Sequence, residues 1–183
     1  MAHYGKDMKK PEHMTSLSGN RMVSKTHGRI VFRGLIDTLE AEVIEAQVLA
    51  SERGSGELCA NLGEVLDYLR EIMAAEVKEI PLPPPCLFGM DAEEIHRQSH
   101  SMEGFRPSPK NLHQEEVYLP HYTHGALAAR INTLRAKVRE VELCAVRVFC
   151  PEEGPERGDI ILALNRLSSA LWWLFCHHTF RYH

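Results

Sequence analysis

Asn132, Arg135, Arg139 and Glu142 follow one another at steps of three and four, a spacing that sets polar groups on one face of a helix. Ala128 opens this row, and its three charged members stand at i, i+4 and i+7. A second row of the same kind runs through Ile161, Asn165, Ser168 and Trp172, and a third through Arg33, Asp37 and Glu40. Guanidinium forks bind phosphate oxygens bidentately, and a lone carboxylate beside them can share a divalent cation with a polyphosphate. The set therefore suits a phosphate-rich ligand with a divalent metal. Any one row taken alone reads first as the solvated flank of a helix. The alternative is that the three rows converge on a shared cleft. Asn165 and Ser168 weigh toward the cleft, because they are mediocre helix formers among apolar neighbours, where Lys or Glu would serve solubility better.

Each row lies beside an apolar seam. Leu127, Ile131, Leu134, Val138, Val141, Ala145 and Val148 alternate steps of four and three, as do Ile160, Leu164, Leu167, Leu171 and Leu174. Phe32, Ile36, Leu39, Val43 and Ala46 form the earliest seam. The patterns predict helices over about 28–51, 56–79, 91–100, 123–149 and 159–177, the second burying Leu62, Val65, Leu66, Leu69, Ile72 and Met73. Asp91 is placed to cap the third. Seven of the ten prolines fall between Pro81 and Pro120, so that stretch is predicted to be mostly loop. No alternating run is sustained, so little β-structure is expected. The fold class is all-α: a five-helix bundle with one long Pro-rich loop insertion.

The chain has 183 residues, the length of one domain, with 44% apolar residues and a net charge of −4. That charge makes nucleic acid a poor partner. Mean hydropathy is −0.27, and no apolar run approaching ~18 residues is apparent, so no membrane span is expected. Met1 to Lys10 has no apolar stretch and does not read as a secretion signal. These features predict a soluble cytoplasmic chain, with a flexible tail over 1–13 and a helical domain over 14–178. Five scattered cysteines without C-x-x-C spacing point to free thiols rather than a disulfide framework or a zinc site, and Cys144 reads as a core residue.

The segment HGALAARINTLRAKVREVELCAVRV (124–148), followed by DIILALNRLSS (159–169), resembles the ATP:cob(I)alamin adenosyltransferases, the ethanolamine-utilization type more than the propanediol-utilization type. Met14-Thr-Ser-Leu-Ser, Met22-Val-Ser-Lys25, Phe32-Arg-Gly-Leu-Ile-Asp37 and GMDAEEIHRQSH (89–100) extend the likeness from about Met14 to Trp173. The resemblance implies a trimer with active sites between subunits. It implies transfer of the 5′-deoxyadenosyl group of ATP to the cobalt of reduced cobalamin, with release of inorganic triphosphate. Arg139 and Glu142 match ATP-phosphate and magnesium contacts, and Asn165 an ATP-contacting asparagine. Asp37 matches an aspartate that pairs with an arginine, here Arg135, at the intersubunit site. Lys25, with Ser18 in the 15–20 segment, occupies the position of the nucleotide-binding loop. Such an enzyme would work with a flavoprotein reductant and an adenosylcobalamin-dependent enzyme, in the cytoplasm or at a bacterial microcompartment.

The chain departs from the family pattern in places. Ser16-Leu17-Ser18-Gly19-Asn20 replaces the glycine-rich, aspartate-containing nucleotide loop. Ethanolamine-type members carry a cysteine-rich metal cluster in a region before the stretch that this sequence matches, so no structural iron or zinc is expected within it, and Val117-Tyr118-Leu119-Pro120 stands where the propanediol type places a phenylalanine beside the corrinoid. The altered nucleotide loop admits a second reading, a non-catalytic module that binds or delivers adenosylcobalamin. The segment 81–120 reads as a corrinoid-side lid or as a plain surface insertion. His96 and His100 stand four apart, and Glu93-x-x-His96 has the form that di-iron bundles use twice, but one copy is present. The pair reads as helix-end histidines, with a place in the corrinoid pocket or an adventitious metal site as alternatives. His121 and His124 admit the same choice, and His177, His178 and His183 are expected in a tail.

Overall fold

Seams of apolar residues fold into five α-helices in the computed structural model, which describes residues 11–19, 21–101, 119–151 and 154–181. They are α1 (Gly28–Glu52), α2 (Gly56–Lys78), α3 (Ala92–His100), α4 (Gly125–Phe149) and α5 (Gly158–Arg181). A short antiparallel hairpin, β1 (Met14–Ser18) and β2 (Arg21–Ser24), precedes them. The segment expected as a loop is thus a two-stranded ribbon, turning at Gly19 with φ +51° and bulged between Ser16 and Ser18.

The four long helices close a ring in which α1 touches α2 and α4, and α5 touches the same two. Every neighbouring pair is antiparallel. Arg29 meets Glu76 while Gln47 meets Cys59 across α1 and α2. Phe32 packs edge-on against Phe149, and Glu45 pairs with Arg130 across α1 and α4. At the start of α1, a Cβ on Gly28 would lie 3.0 Å from Val148 Cγ2, so a larger residue there would require the Val148 side chain to shift by a few tenths of an ångström. The predicted seams are the core: Phe32, Ile36, Val43, Leu134, Val138, Leu164, Leu167 and Leu171 are fully buried. Burial of such side chains stabilises by about 1.5–3 kcal/mol each. Ala128, placed by its spacing in the polar row, is also fully buried, because a methyl group fits between α4 and its neighbours.

The Pro-rich stretch does not behave as one loop. Leu82, Pro85, Leu87 and Met90 are buried, so 81–90 is a strap against the bundle rather than a surface insertion or a free lid. Asp159 at the head of α5 accepts the Leu82 amide at 2.9 Å, and Arg157 donates to that carboxylate and to the Ile80 carbonyl at 3.1 Å. Burial pulls the Asp159 carboxyl upward, but Arg157 and the Leu82 and Ile160 amides outweigh it and hold it below the usual range. Asp91 caps α3 as expected, its carboxylate accepting the Glu93 and Glu94 amides at 3.0 and 2.8 Å. Ile95 seats α3 on α5. Pro107, Pro109 and Tyr118 lie outside the described residues.

Two expectations about α5 are corrected. The helix is long and apolar enough, by length and composition, to cross a membrane, with a mean hydropathy of 1.2 over its richest window. In the bundle half of that window is buried, its apolar surface being the packing face of a core helix. His177 and His178 belong to α5 rather than to a tail, and His177 stacks on Trp173 at 4.6 Å.

Sequence reasoning missed one ionic cluster. Glu76 continues the inward phase of α2 and is fully buried. It accepts from Arg29 Nε and Arg33 Nε, while Arg33 Nη1 donates to the Leu17 carbonyl of β1 at 2.8 Å. One carboxylate therefore ties α1, α2 and the hairpin together. Arg33 does not contribute to a cleft with the other rows, because the nearer Glu76 claims it.

Glu76→Ala leaves Arg33, less than one-fifth exposed, without its anion, and leaves Arg29 with only the exposed Glu79. It is expected to lower stability by about 3–5 kcal/mol in urea titrations, the scale for breaking a buried pair. A loss below about 1 kcal/mol would show that both arginines swing into water instead. The five cysteines are free, and they differ sharply in access. Burial pushes the Cys176 thiol up to about 12, with Arg135 opposing weakly, whereas Cys86 and Cys150 are exposed. At pH 8 Cys176 therefore stays a protonated, unreactive thiol in the native state. Cys86 and Cys150 are expected to react promptly with a thiol reagent, and Cys176 only after denaturation, as read by peptide mapping.

Candidate functional site

The antiparallel contact of α4 and α5 brings two of the three polar rows together. Arg135, Arg139 and Glu142 step by four and three along α4; Trp172, Ser168 and Asn165 step back by four and three along α5. The rows meet in that order. Arg135 lies over the Trp172 ring with its guanidinium carbon 5.4 Å from the centroid, and its Nε donates to Asn132 Oδ1 at 3.1 Å. Arg139 and Ser168 line the same cavity. Asn165 Nδ2 donates to Glu142 Oε1 at 2.9 Å, and Asn165 Oδ1 accepts from Arg166 Nη1 at 2.7 Å.

The cavity holds about 350 Å³ and is open to solvent. Arg135, Arg139, Ser168, Ser169 and Trp172 form the bundle side. Ser99 and His100 from the end of α3, with Leu119 and Pro120, form the other. Neither arginine makes an ion pair among the described residues. Burial first, then the neighbouring Arg139 cation, pushes the Arg135 guanidinium below its ordinary value. Two adjacent positive charges without a carboxylate concentrate a field that an anion would satisfy. The Trp172 face lets a planar guanidinium stay there by supplying cation–π attraction in place of a counter-ion.

The remaining predicted residues lie elsewhere in the single chain. Asp37 is exposed on α1, does not line the cavity and makes no ion pair with Arg135. Glu40 faces Arg70 of α2 at 3.8 Å, so the α1 row serves α2 rather than the α4–α5 cavity. Burial raises the Glu40 carboxyl, Arg70 lowers it, and the nearby Asp37 charge adds to the rise.

Ser18 ends β1 half-buried, and Lys25 is exposed in the turn after β2, its amide bound to the His13 carbonyl at 2.8 Å. The His96 and His100 rings pack at a tilt with centroids 4.3 Å apart, and no group of three metal-ligating side chains occurs among the described residues. His121 and His124 close a capping box instead, the His121 amide donating to His124 Nδ1 at 2.9 Å. Of the alternatives read for the α3 histidines, a place at a pocket fits His100, which lines the cavity, whereas the part of Ser99 escaped sequence reasoning; the signal was that both end an amphipathic helix whose one buried residue is Ile95.

A family model for cobalamin adenosyltransferase matches residues 7–178. The corrinoid adenosyltransferase EutT of Salmonella typhimurium is 33% identical over 166 residues, and that of Escherichia coli 34% over 165 residues. Each alignment covers 90% of this chain and 58% of the relative, so the chain spans under two-thirds of the length of these curated relatives. No solved structure matches it. The family model runs over nearly the whole chain and through every element of the bundle, so this chain belongs to the cobalamin adenosyltransferase family.

Proposed function

We propose that this protein transfers the 5′-deoxyadenosyl group of ATP to cob(I)alamin, forming adenosylcobalamin and inorganic triphosphate. The observation that carries the reading is the α4–α5 strip, where Arg139, Ser168, Glu142 and Asn165 come together beside an unneutralised guanidinium pair. The names of the relatives support the same substrates. The cobalt(I) electron pair forms a bond to C5′ while the C5′–O bond breaks, and its electrons leave with the triphosphate. No proton moves, so neither a general base nor an activated side-chain nucleophile is required. The protein's work is to hold C5′ in line with cobalt and to stabilise charge on the leaving group.

Arg139 and Arg135 suit that second task. Asn165 holds the Glu142 carboxylate by Oε1, and no hydrogen bond occupies Oε2 among the described residues. One free carboxylate oxygen fits a magnesium ion brought in on ATP phosphates better than a resident metal, which would need more protein ligands. Lys25, Ser18 and Asp37 complete the set when another copy of the chain brings them to the strip, and the assembly is a homotrimer. Exposed apolar residues support such contact: Ile44 and Val48 on α1, Leu143 and Val146 on α4. An adenosylcobalamin-dependent enzyme such as ethanolamine ammonia-lyase would consume the product and a flavoprotein would supply the reductant. The setting is the cytoplasm or a bacterial microcompartment. One observation favours a non-catalytic binding or delivery module instead: the hairpin at the nucleotide-loop position is an ordinary ribbon with Lys25 turned to solvent.

Anaerobic mixing with ATP, magnesium and chemically reduced cobalamin is expected to give the adenosylcobalamin spectrum. No turnover, with tight corrinoid binding and no ATP binding by calorimetry, would establish the delivery module. Native mass measurement with and without ATP is expected to show three copies. Arg139→Ala is expected to lower kcat by about 10²–10³-fold, the scale for one lost charge-stabilising donor. Its melting temperature is expected to stay within about 2 °C of the parent, because Arg139 is exposed and makes no ion pair among the described residues. An unchanged kcat would remove Arg139 from the reaction.

A further inference from the structure

We propose that His100 accepts a hydrogen bond, through Nε2, from an N–H or O–H group of the substrate held in the α3–α4–α5 cavity. The inference rests on the adenosyltransferase reading and names a residue that reading does not use. His100 Nδ1 lies 2.8 Å from the His96 carbonyl oxygen, one turn back on α3. A carbonyl can only accept, so Nδ1 carries the proton, and the lone pair of the neutral ring is on Nε2. The Ser99 hydroxyl donates to the same carbonyl at 3.0 Å and sits 3.1 Å from Nδ1, which holds that edge of the ring against the helix. The His96 ring packs at 4.3 Å from the ring itself. With Nδ1 committed to the helix, Nε2 is the nitrogen left for a ligand.

The rest of the cavity makes that lone pair distinctive. Arg135 and Arg139 only donate, and the Ser99, Ser168 and Ser169 hydroxyls can do either. His100 Nε2 is the one side-chain group among the described lining residues that only accepts. The cavity thus has a cationic wall for an anionic group and, across from it, an acceptor for a donor group. Both substrates carry donors: primary amides on the rim of the corrinoid, hydroxyls on the ribose of the nucleotide. α3 is built to hold the acceptor in place. Asp91 fixes its start, Ile95 seats it on α5, and the His96 carbonyl orients the last ring.

Three substitutions separate this role from a structural one. The Gln amide reaches the position of Nε2, the shorter Asn amide reaches only Nδ1, and Phe keeps the ring without nitrogen. ATP with magnesium, and hydroxocobalamin, would each be titrated calorimetrically into wild type, His100→Gln, His100→Asn and His100→Phe. Asn and Phe are expected to weaken one of the two substrates by roughly 3–10-fold, the value of one hydrogen bond, with Gln within about twofold of wild type. Weakening of hydroxocobalamin assigns the donor to the corrinoid, and weakening of ATP assigns it to the nucleotide. Unchanged affinity for both substrates in the Asn and Phe variants overturns the proposal, as does a Gln variant as weak as Phe. Wild type that binds but does not turn over would defeat the catalytic reading and leave this comparison intact; wild type that binds neither substrate overturns both.

Discussion

Two guanidiniums one turn apart on α4, with no carboxylate between them, are what the rest of the site depends on. Elsewhere in this molecule half-buried arginines are neutralised: Arg29 and Arg33 by Glu76, Arg130 by Glu45, Arg157 by Asp159. Arg135 and Arg166 receive amide oxygens instead, from Asn132 and Asn165, and both flank the α4–α5 strip. An amide oxygen orients a guanidinium without cancelling its charge. The positive field beside Arg139 is therefore retained, and the Trp172 face allows it to be retained next to a core. All of this requires α4 and α5 to pack antiparallel in one register, which the buried seams of both helices enforce. A slip of one residue along either seam would turn Trp172 away from Arg135.

The Glu76 cluster shows the opposite use of charge. There a fully buried carboxylate engages two arginines, and one of them reaches on to a backbone carbonyl of the hairpin. A buried pair of this kind adds little net stability over apolar packing, yet is costly to break, so it fixes geometry more than it adds stability. What it fixes is the approach of the hairpin to α1 and α2. The polar row on α1, outwardly similar to those on α4 and α5, is in this way given to architecture. Arg33 is drawn to Glu76 and Glu40 to Arg70, leaving Asp37 exposed.

That contrast marks how far the sequence could be read. Helix positions and core seams were legible because steps of three and four admit little else, and 28–51, 56–79 and 91–100 agree with α1, α2 and α3 to within a residue or two. The convergence of the α4 and α5 rows was legible as well, since consecutive helices with a short connection pack antiparallel. The fate of the α1 row was not. Its destination depends on Glu76, a charge at an inward position of another helix, and a single-helix pattern carries no information about what lies across from it. Proline content was a partial guide for a related reason. Proline excludes helix but says nothing of burial, and the irregular strap at 81–90 buries Leu82, Pro85, Leu87 and Met90 against the bundle.

Arginine, and not lysine, at Arg135 follows from the same physics. A guanidinium is flat and weakly hydrated, so it can lie over an indole at modest desolvation cost while its edge bonds Asn132. An ammonium in that place would keep its water or leave the ring. Fixing the cation before a ligand arrives matters more for a leaving group than for a ground-state anion. In the proposed reaction, charge on the departing triphosphate would grow only as the carbon–oxygen bond breaks, and a donor already in position would stabilise it without reorganising. A flexible cation would have to order itself at that moment, and the entropy of ordering would be subtracted from the stabilisation. On the proposed function, Arg135 over Trp172 and its neighbour Arg139 would divide the work: one would hold the field in place, and the other, an exposed lining residue, would meet the ligand.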